Sequence, residues 1–392
     1  MSDTVTPPRA RVLLACETLV VAGGVERFVC HLANALALRG HGVTVSSADP
    51  AGAALAYPLA ATVHVALAGD APLAEEGGGW RAWRLLRRQW HVGRSIGRVA
   101  RDGGFDVVVL NGLVTACAVL ALHPSLARRS ICCDHNHFAA RSRFWRWLRR
   151  LLYPRVAAVV SLTRADAARF TALNARTRVI ANASSLMAER PADVAAPIAL
   201  AIGRHQAQKG FDLLLAAWAG VVAALPQARL RIVGAGPLSG ELHRLASELG
   251  VAASVDWTLP TPAIEAIYRS AAVFVLSSRY EGMPLALLEA QALGLPIVTF
   301  ACPTGPAEIV DADSGIVVAP EDTAALERGL VELLGDLPRR QRMGRAAIAR
   351  SRAQFSMQRH LDAWADLIDE VALQRCHDIG PGRQSMAVVG GA

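Results

Sequence analysis

FVLSSRYEGMPLALLEAQALGLPIVTF, residues 274–300, runs from a strand through a loop and a helix into a second strand. The apolar run 273–276 has no polar alternation and stops at two serines, the pattern of a strand buried on both faces. Residues 277–284 are polar and carry a glycine, and 285–293 repeats leucine and alanine at helical spacing. Gly294 and Pro296 end that helix, and 297–299 resumes as a strand. Two short buried strands joined by a helix need a crossover connection, so the pair is parallel.

The same alternation extends in both directions. Upstream lie a strand at 198–202, a helix at 211–225, and a strand at 228–233 that ends in Gly234-Ala235-Gly236-Pro237. A helix at 238–249 and a strand at 254–257 follow; downstream come a strand at 316–318 and a helix at 323–334. An earlier set opens with a strand at 11–16 and a helix at 25–39 that Gly40 stops, then strands at 43–46, 63–67, 106–110, 130–133, 157–161 and 179–181. Residues 183–197, with small side chains and two prolines, read as a linker. The expected class is α/β, with two Rossmann-like doubly wound parallel-sheet domains at 1–182 and 198–354. A C-terminal helix at 355–378 is expected to return to the first domain, and 379–392 reads as a disordered tail. Facing domains of this kind leave a cleft at the carboxyl ends of their strands, where ligands bind.

Composition supports two cores and excludes wholesale disorder: 392 residues are 53% hydrophobic and 19% charged. The net charge is +8, and the 41 basic residues are forty arginines and one lysine, Lys209. Residues 71–155 hold fifteen arginines against five acidic residues, so the whole surplus falls in the first domain and predicts an anionic partner there. No run approaches the roughly 18 apolar residues of a membrane span. The N-terminus lacks a secretory pattern, and the seven cysteines show no framework or zinc spacing. These features predict a cytoplasmic protein with reduced thiols.

Three glycine-punctuated loops are candidate binding segments. In Ser277–Ala290 the amides of Gly282, Met283, Leu285 and Ala286 precede or open a helix whose first turn holds Pro284, a geometry suited to hydroxyl or phosphate oxygens. Glu281 stands at the mouth of that loop. Glu289 shares a helix face with leucines, so it is either hydrogen-bonded, with ribose hydroxyls as suitable partners, or a solvated helix glutamate. In Gly203–Asp212, Arg204 and Lys209 straddle a strand-to-helix turn and can neutralise a diphosphate, the fork of one beside the point charge of the other. A lone lysine among forty arginines fits a place that needs a compact ammonium. Gly23-Gly24 opens the first helix and allows a close anionic approach, or is a plain tight turn. After the strand at 130–133, His135 and His137 sit two apart; no further cluster supports a metal site, and none is expected.

These segments identify the chain as similar to glycosyltransferase family 4, retaining enzymes of the GT-B fold. The pieces that carry the resemblance are GGVERFVCHLANALALRGH, AIGRHQAQKGFDLLLAAW, IVGAGP and FVLSSRYEGMPLALLEAQALGLPIVTFACPTGPAEIV, spanning most of 11–370. Glu281 and Glu289 fit the family's E-x7-E pattern. The resemblance implies that Glu289 holds the donor ribose, Glu281 contacts the donor sugar, and Arg204 and Lys209 bind the diphosphate. It also implies that the amides of Gly282, Met283 and Leu285, about Pro284, serve sugar hydroxyls, that Gly24 lies near the phosphates, and that His135 faces the sugar, with His137 its competitor. Cys302–Val310 is similar to bacterial enzymes that use UDP-hexoses or UDP-N-acetylhexosamines for surface polysaccharides. Departures from the family pattern are Asn182-Ala183, where a proline often follows the asparagine, and Met283 for the commoner phenylalanine.

The expected function is therefore retaining transfer of a hexose or N-acetylhexosamine from a UDP-sugar to a hydroxyl of a glycan or lipid-linked acceptor, without metal or other cofactor. Cleft closure around the donor is the expected mechanical step. Residues 141–155 form an amphipathic pattern with Phe144, Trp147, Leu148, Leu151 and Leu152 on one arc and Arg143, Arg146, Arg149 and Arg150 on the other. Residues 80–101 resemble it more loosely, with Trp83, Leu86 and Trp90 in register. Cationic helices with aromatic edges suit an anionic bilayer, which places the protein on the inner face of the cytoplasmic membrane. No recognition motif accompanies the charge, so nucleic acid is not an expected partner. Two rivals share the donor features: a GT-B sugar-nucleotide epimerase, which needs no acceptor, and a non-catalytic nucleotide-sugar-binding assembly protein, which shows no turnover.

Overall fold

The structure, a computed structural model, describes residues 9–69, 81–192 and 194–379, without the side chains of 81–85 and 376–379. The chain forms two compact units. The first takes the described residues of Met1–Leu162, Asp166–Ile180 and Leu361–Ala392; the second takes those of Thr163–Ala165 and Ala181–His360. Residues 183–197, expected to link the domains, are part of the second unit. Of the expected tail, 380–392 lies outside the described residues, as do Trp80 and the side chain of Trp83.

In chain order the first set of elements is β1 (Arg11–Ala15), α1 (Gly24–Leu38), β2 (Gly42–Pro50), β3 (His64–Gly69), α2 (Arg81–Asp102), β4 (Val107–Asn111), α3 (Leu113–Leu122), β5 (Ser130–Cys133), α4 (Arg143–Leu152), β6 (Ala158–Ser161), α5 (Arg164–Thr171) and β7 (Thr177–Val179). The sheet order is β3-β2-β1-β4-β5-β6-β7, parallel throughout. Strand order reverses between β1 and β4, which is the position where ligands bind in open α/β sheets. The last strand begins and ends two residues before the expected 179–181.

The second set is β8 (Ile198–Ile202), α6 (Phe211–Ala224), β9 (Arg229–Val233), α7 (Ser239–Glu248), β10 (Val255–Thr258), α8 (Ile264–Arg269), β11 (Val273–Leu276), α9 (Leu285–Ala292), β12 (Ile297–Phe300), α10 (Pro306–Ile309), β13 (Gly315–Val318), α11 (Thr323–Gly335), α12 (Leu337–Gln354) and α13 (Met357–Ile379). The order β10-β9-β8-β11-β12-β13 puts its reversal between β8 and β11. Parallel pairing with helical crossovers explains why β1, β4, β8 and β11 show apolar runs without polar alternation.

On one face of the first sheet, Val92, Ile96 and Ala100 of α2 pack with Ala116, Val119 and Leu120 of α3 and with Trp145, Leu148 and Leu152 of α4. This corrects the expected arc of α4. Leu148 and Leu152 face the core, whereas Phe144, Trp147 and Leu151 are exposed. Arg149, expected on the solvated side, is 1% exposed. Its nearest chemistry explains the inversion. Arg149 donates to Asp134 Oδ2 at 2.8 Å and to the Phe138 carbonyl at 2.8 Å, and it lies 3.6 Å from the Phe138 ring centroid. A buried carboxylate outbids an apolar side chain for that position because each charge needs the other.

From Leu361 onward α13 belongs to the first unit, and arginines hold it there: Arg9 to Asp369, Arg39 to Asp362 and Arg178 to Glu370, at 3.0, 2.5 and 3.2 Å. These arginines lie outside the basic 71–155 stretch and serve a helix seam, although partly exposed pairs contribute only about 0–1 kcal/mol each.

Candidate active site

In the second unit, Lys209 and Glu281 come from loops on either side of the β8/β11 reversal, 72 residues apart in sequence. The Lys209 ammonium donates to Glu281 Oε1 at 2.7 Å, and Ser278 Oγ donates to the same oxygen at 2.6 Å. Glu281 is buried, rather than standing open at a loop mouth, and these two donors are what make the burial tolerable. The lysine stem lies over Gly203, where a Cβ would come within 3.0 Å of it.

The two loops are sewn together. Arg279 N donates to the Gln208 carbonyl at 2.8 Å, Gln208 Nε2 to the Tyr280 carbonyl at 2.9 Å, and Ser277 Oγ to the Lys209 carbonyl at 3.0 Å. The Arg279 guanidinium grips both oxygens of Asp212, at 2.9 and 2.6 Å, and also reaches the Ala207 carbonyl at 2.7 Å. The bond to Arg279 holds the Asp212 carboxyl below its ordinary range. Gly210, at φ +61°, is the hinge of this arrangement: a Cβ there would collide with the Ser277 carbonyl oxygen. Arg204 is exposed on the bend after β8.

The loop after β11 is also braced from beneath. Glu281 N donates to the Pro303 carbonyl at 2.8 Å, and Thr304 N to the Glu281 carbonyl at 3.0 Å. The Cys302–Gly305 stretch thus positions the Glu281–Pro284 backbone, and burial pushes the Cys302 thiol up to about 12. Met283 is buried, with its carbonyl accepting from Asn182 Nδ2 at 3.1 Å. Pro284 caps α9 rather than occupying its first turn, and Leu285 is the first helical residue. The amides of Leu285 and Ala286 open the helix, where backbone N–H groups have no partner within the helix itself.

Glu289 is 4% exposed, which removes the alternative of a solvated helix glutamate. Tyr268 Oη donates to Glu289 Oε2 at 2.8 Å. Tyr268 belongs to α8, a helix the sequence reading passed over. An aromatic in a six-residue helix gives too short a pattern to read.

In the first unit, Asn111 at the end of β4 donates through Nδ2 to the Ala15 carbonyl at the end of β1, at 3.1 Å. His135 Nε2 lies 2.9 Å from Asn111 Oδ1, and the imidazole packs 4.8 Å from the Phe28 ring. Phe28 is one helical turn after Gly24, whose neighbour Gly23 caps α1. A Cβ on Gly23 would meet the carboxylate of Glu26. His137 turns into its own loop, its Nδ1 accepting from Ala139 N at 3.3 Å, and burial lowers its pKa. The geometry therefore separates the two histidines: His135 joins Asn111 and the first helix, and His137 supports a turn.

Behind His135, Asp134 is held by Arg149 and by Tyr153 Oη at 2.5 Å. Burial raises the Asp134 carboxyl pKa, with Arg149 and Tyr153 pulling it back down. Among the described residues no group of three or more His, Cys, Asp or Glu side chains is arranged to hold a metal ion. Among them, too, no helix is long and apolar enough to cross a membrane.

These two Rossmann-like units, each with polar residues gathered at its strand reversal, have the GT-B fold of glycosyltransferases. The model of "Glycosyltransferase Family 4" matches residues 22–186 and that of "Glycosyl transferases group 1" matches 184–350. The amylovoran biosynthesis glycosyltransferase AmsD of Erwinia amylovora is 31% identical over 278 residues, 69% of this chain and 78% of that protein. The chain belongs to glycosyltransferase family 4. Among solved structures, sucrose-phosphate synthase from Thermosynechococcus elongatus has a TM-score of 0.79 at 20% identity, covering 93% of this chain and 100% of that one. Anabaena HepE in complex with UDP and glucose has a TM-score of 0.72 at 17% identity, covering 92% and 100%. The family's named relatives include the lipopolysaccharide core biosynthesis glycosyltransferase LpsE of Rhizobium meliloti, 30% identical over 46% of this chain, and this chain is, like them, a glycosyltransferase.

Proposed function

We propose that the protein transfers a hexose or N-acetylhexosamine from a UDP-sugar to a hydroxyl of a glycan or lipid-linked acceptor, with retention at the anomeric carbon. The observation that carries this reading is the Lys209–Glu281 pair at the second unit's strand reversal, where a cation and a carboxylate are held 2.7 Å apart. A UDP-sugar presents a diphosphate to the cation and hydroxyls to the carboxylate. Lys209 and Arg204 then stabilise the charge that develops on the leaving diphosphate as the bond to the anomeric carbon breaks. Buried Glu289 is suited to accept from ribose hydroxyls, since a carboxylate in that setting gains from each added donor. His135 and Gly24 in the first unit keep the roles that family resemblance gives them. The choice of UDP is supported by the resemblance of the Cys302–Val310 run and by the UDP present with HepE. No metal or organic cofactor enters the proposal.

The test is UDP release across a donor panel, with and without acceptor. Wild-type-like turnover in both Lys209→Ala and Glu281→Gln would sink the assignment. Conversion of the UDP-sugar without acceptor would favour an epimerase, and binding without any turnover a non-catalytic assembly protein.

The acceptor side is proposed to meet an anionic membrane on its cytoplasmic face. Leu86 and Trp90 of α2 and Phe144, Trp147 and Leu151 of α4 are exposed, on helices that also expose Arg87, Arg88, Arg94, Arg143 and Arg150. Apolar edges beside guanidinium groups match an anionic interface, each cation contributing about 1 kcal/mol near the surface. Sedimentation with anionic but not neutral vesicles is expected; equal behaviour with both contradicts it.

A further inference from the structure

We infer that Asn111 is a positioning residue that fixes the tautomer of His135, so that Nε2 carries a hydrogen. The inference rests on the proposed role of His135 toward substrate, but its geometry is independent of that role.

Donors and acceptors decide the tautomer. The Ala15 carbonyl oxygen can only accept, so the atom of Asn111 that lies 3.1 Å from it is the amide nitrogen. The other side-chain atom of Asn111 is therefore the oxygen, also an acceptor. His135 Nε2 lies 2.9 Å from that oxygen, so the ring must supply the hydrogen between them. The opposite tautomer would set the lone pair of Nε2 against the lone pairs of Oδ1. Asn111 cannot turn over to relieve this, because the flip would put its oxygen against the Ala15 carbonyl. Asn111 itself is 2% exposed, so its amide is buried between the two partners.

The neighbours of the ring reinforce the setting. β1 and β4 are paired, with Ala15 opposite Leu110 in register, so the Ala15 carbonyl and the Asn111 side chain sit at one end of the sheet. Gly112 N donates to the Cys133 carbonyl at 2.8 Å, which ties the end of β4 to the strand that leads into His135. Phe28 covers the imidazole at 4.8 Å. The tautomer is thus decided by backbone carbonyl geometry at the strand reversal, relayed through one amide.

The test uses the full chain. Nitrogen-15 NMR of labelled histidine side chains, with His135 assigned as the signal lost in His135→Gln, is expected to show hydrogen on Nε2 at every pH. A neutral His135 with its hydrogen on Nδ1 overturns the inference, and this readout needs no folded variant of Asn111. The kinetic arm is Asn111→Leu with a UDP-sugar donor. We expect kcat to fall about 10- to 100-fold while donor KM stays within about twofold, and no further fall when Asn111→Leu is added to His135→Gln. An additive loss in the double variant means that Asn111 acts other than through His135, and also overturns the inference. If His135→Gln alone turns over like wild type, the role of His135 fails while the NMR result still decides the role of Asn111.

Discussion

Replacing Arg149 with methionine removes the cation bonded to Asp134 in the first unit's core while keeping much of the side-chain volume. Arg149 and Asp134 are 1% and 5% exposed, so neither charge has water in reserve. The substitution deletes the 2.8 Å bond to Oδ2 and leaves the carboxylate with the Tyr153 hydroxyl at 2.5 Å. Breaking a buried pair from one side costs about 3–5 kcal/mol. For a unit of this size about 2–4 °C of Tm accompanies each kcal/mol, so the first unit's transition should fall by about 6–20 °C.

The pH dependence supplies the sign. Burial raises the Asp134 pKa above its unfolded value, and Arg149 opposes that rise. The folded state therefore holds this proton more tightly than the unfolded one, and stability from this group is lost as pH climbs through the folded value. Without Arg149 the folded value rises further, so the deficit should be larger near about pH 8 than near about pH 5. Calorimetry at the two pH values measures it, and Asp134→Asn added to Arg149→Met should recover part of the loss. A drop below about 2 °C, or the same drop at both pH values, would refute the buried-pair reasoning.

Other consequences concern the donor loops. Arg279→Ala frees Asp212 and loosens the turn that carries Lys209; both partners are partly exposed, so we expect about 1 kcal/mol, seen as a roughly fivefold rise in donor KM with little change in Tm. Glu289→Gln removes a charged acceptor and should weaken nucleotide binding by about 10- to 100-fold in calorimetric titration, whereas Glu281→Gln should act mainly on kcat. Gly210→Ala forces a Cβ toward the Ser277 carbonyl at φ +61° and should cost about 1–3 kcal/mol by denaturant unfolding.

The strands and the loops at their carboxyl ends were legible because fully buried parallel strands leave unbroken apolar runs and glycine marks the turns between layers. The same logic placed Lys209 and Glu281 in two separate loops but could not show that they share an ion pair, since 72 residues separate them and only sheet order brings them together. Arg149 was misplaced for a different reason. Helical periodicity assigns a charge to the polar face, and Asp134, which pulls the arginine inward, lies 15 residues earlier in a loop. Asn111 ended an apolar strand and drew no notice, although a polar residue at the carboxyl end of a central strand is where a site residue belongs. Tyr268 had no readable context at all.

The central claim is that Lys209 helps to grip a nucleoside diphosphate in the second unit. Its most direct measurement is the thermal shift given by UDP, GDP and ADP to the wild type and to Lys209→Ala. The account predicts that UDP raises the wild-type Tm by several degrees more than the other two and that the alanine variant loses most of this shift. An equal UDP shift in both proteins, or no shift from any of the three nucleotides, would contradict it.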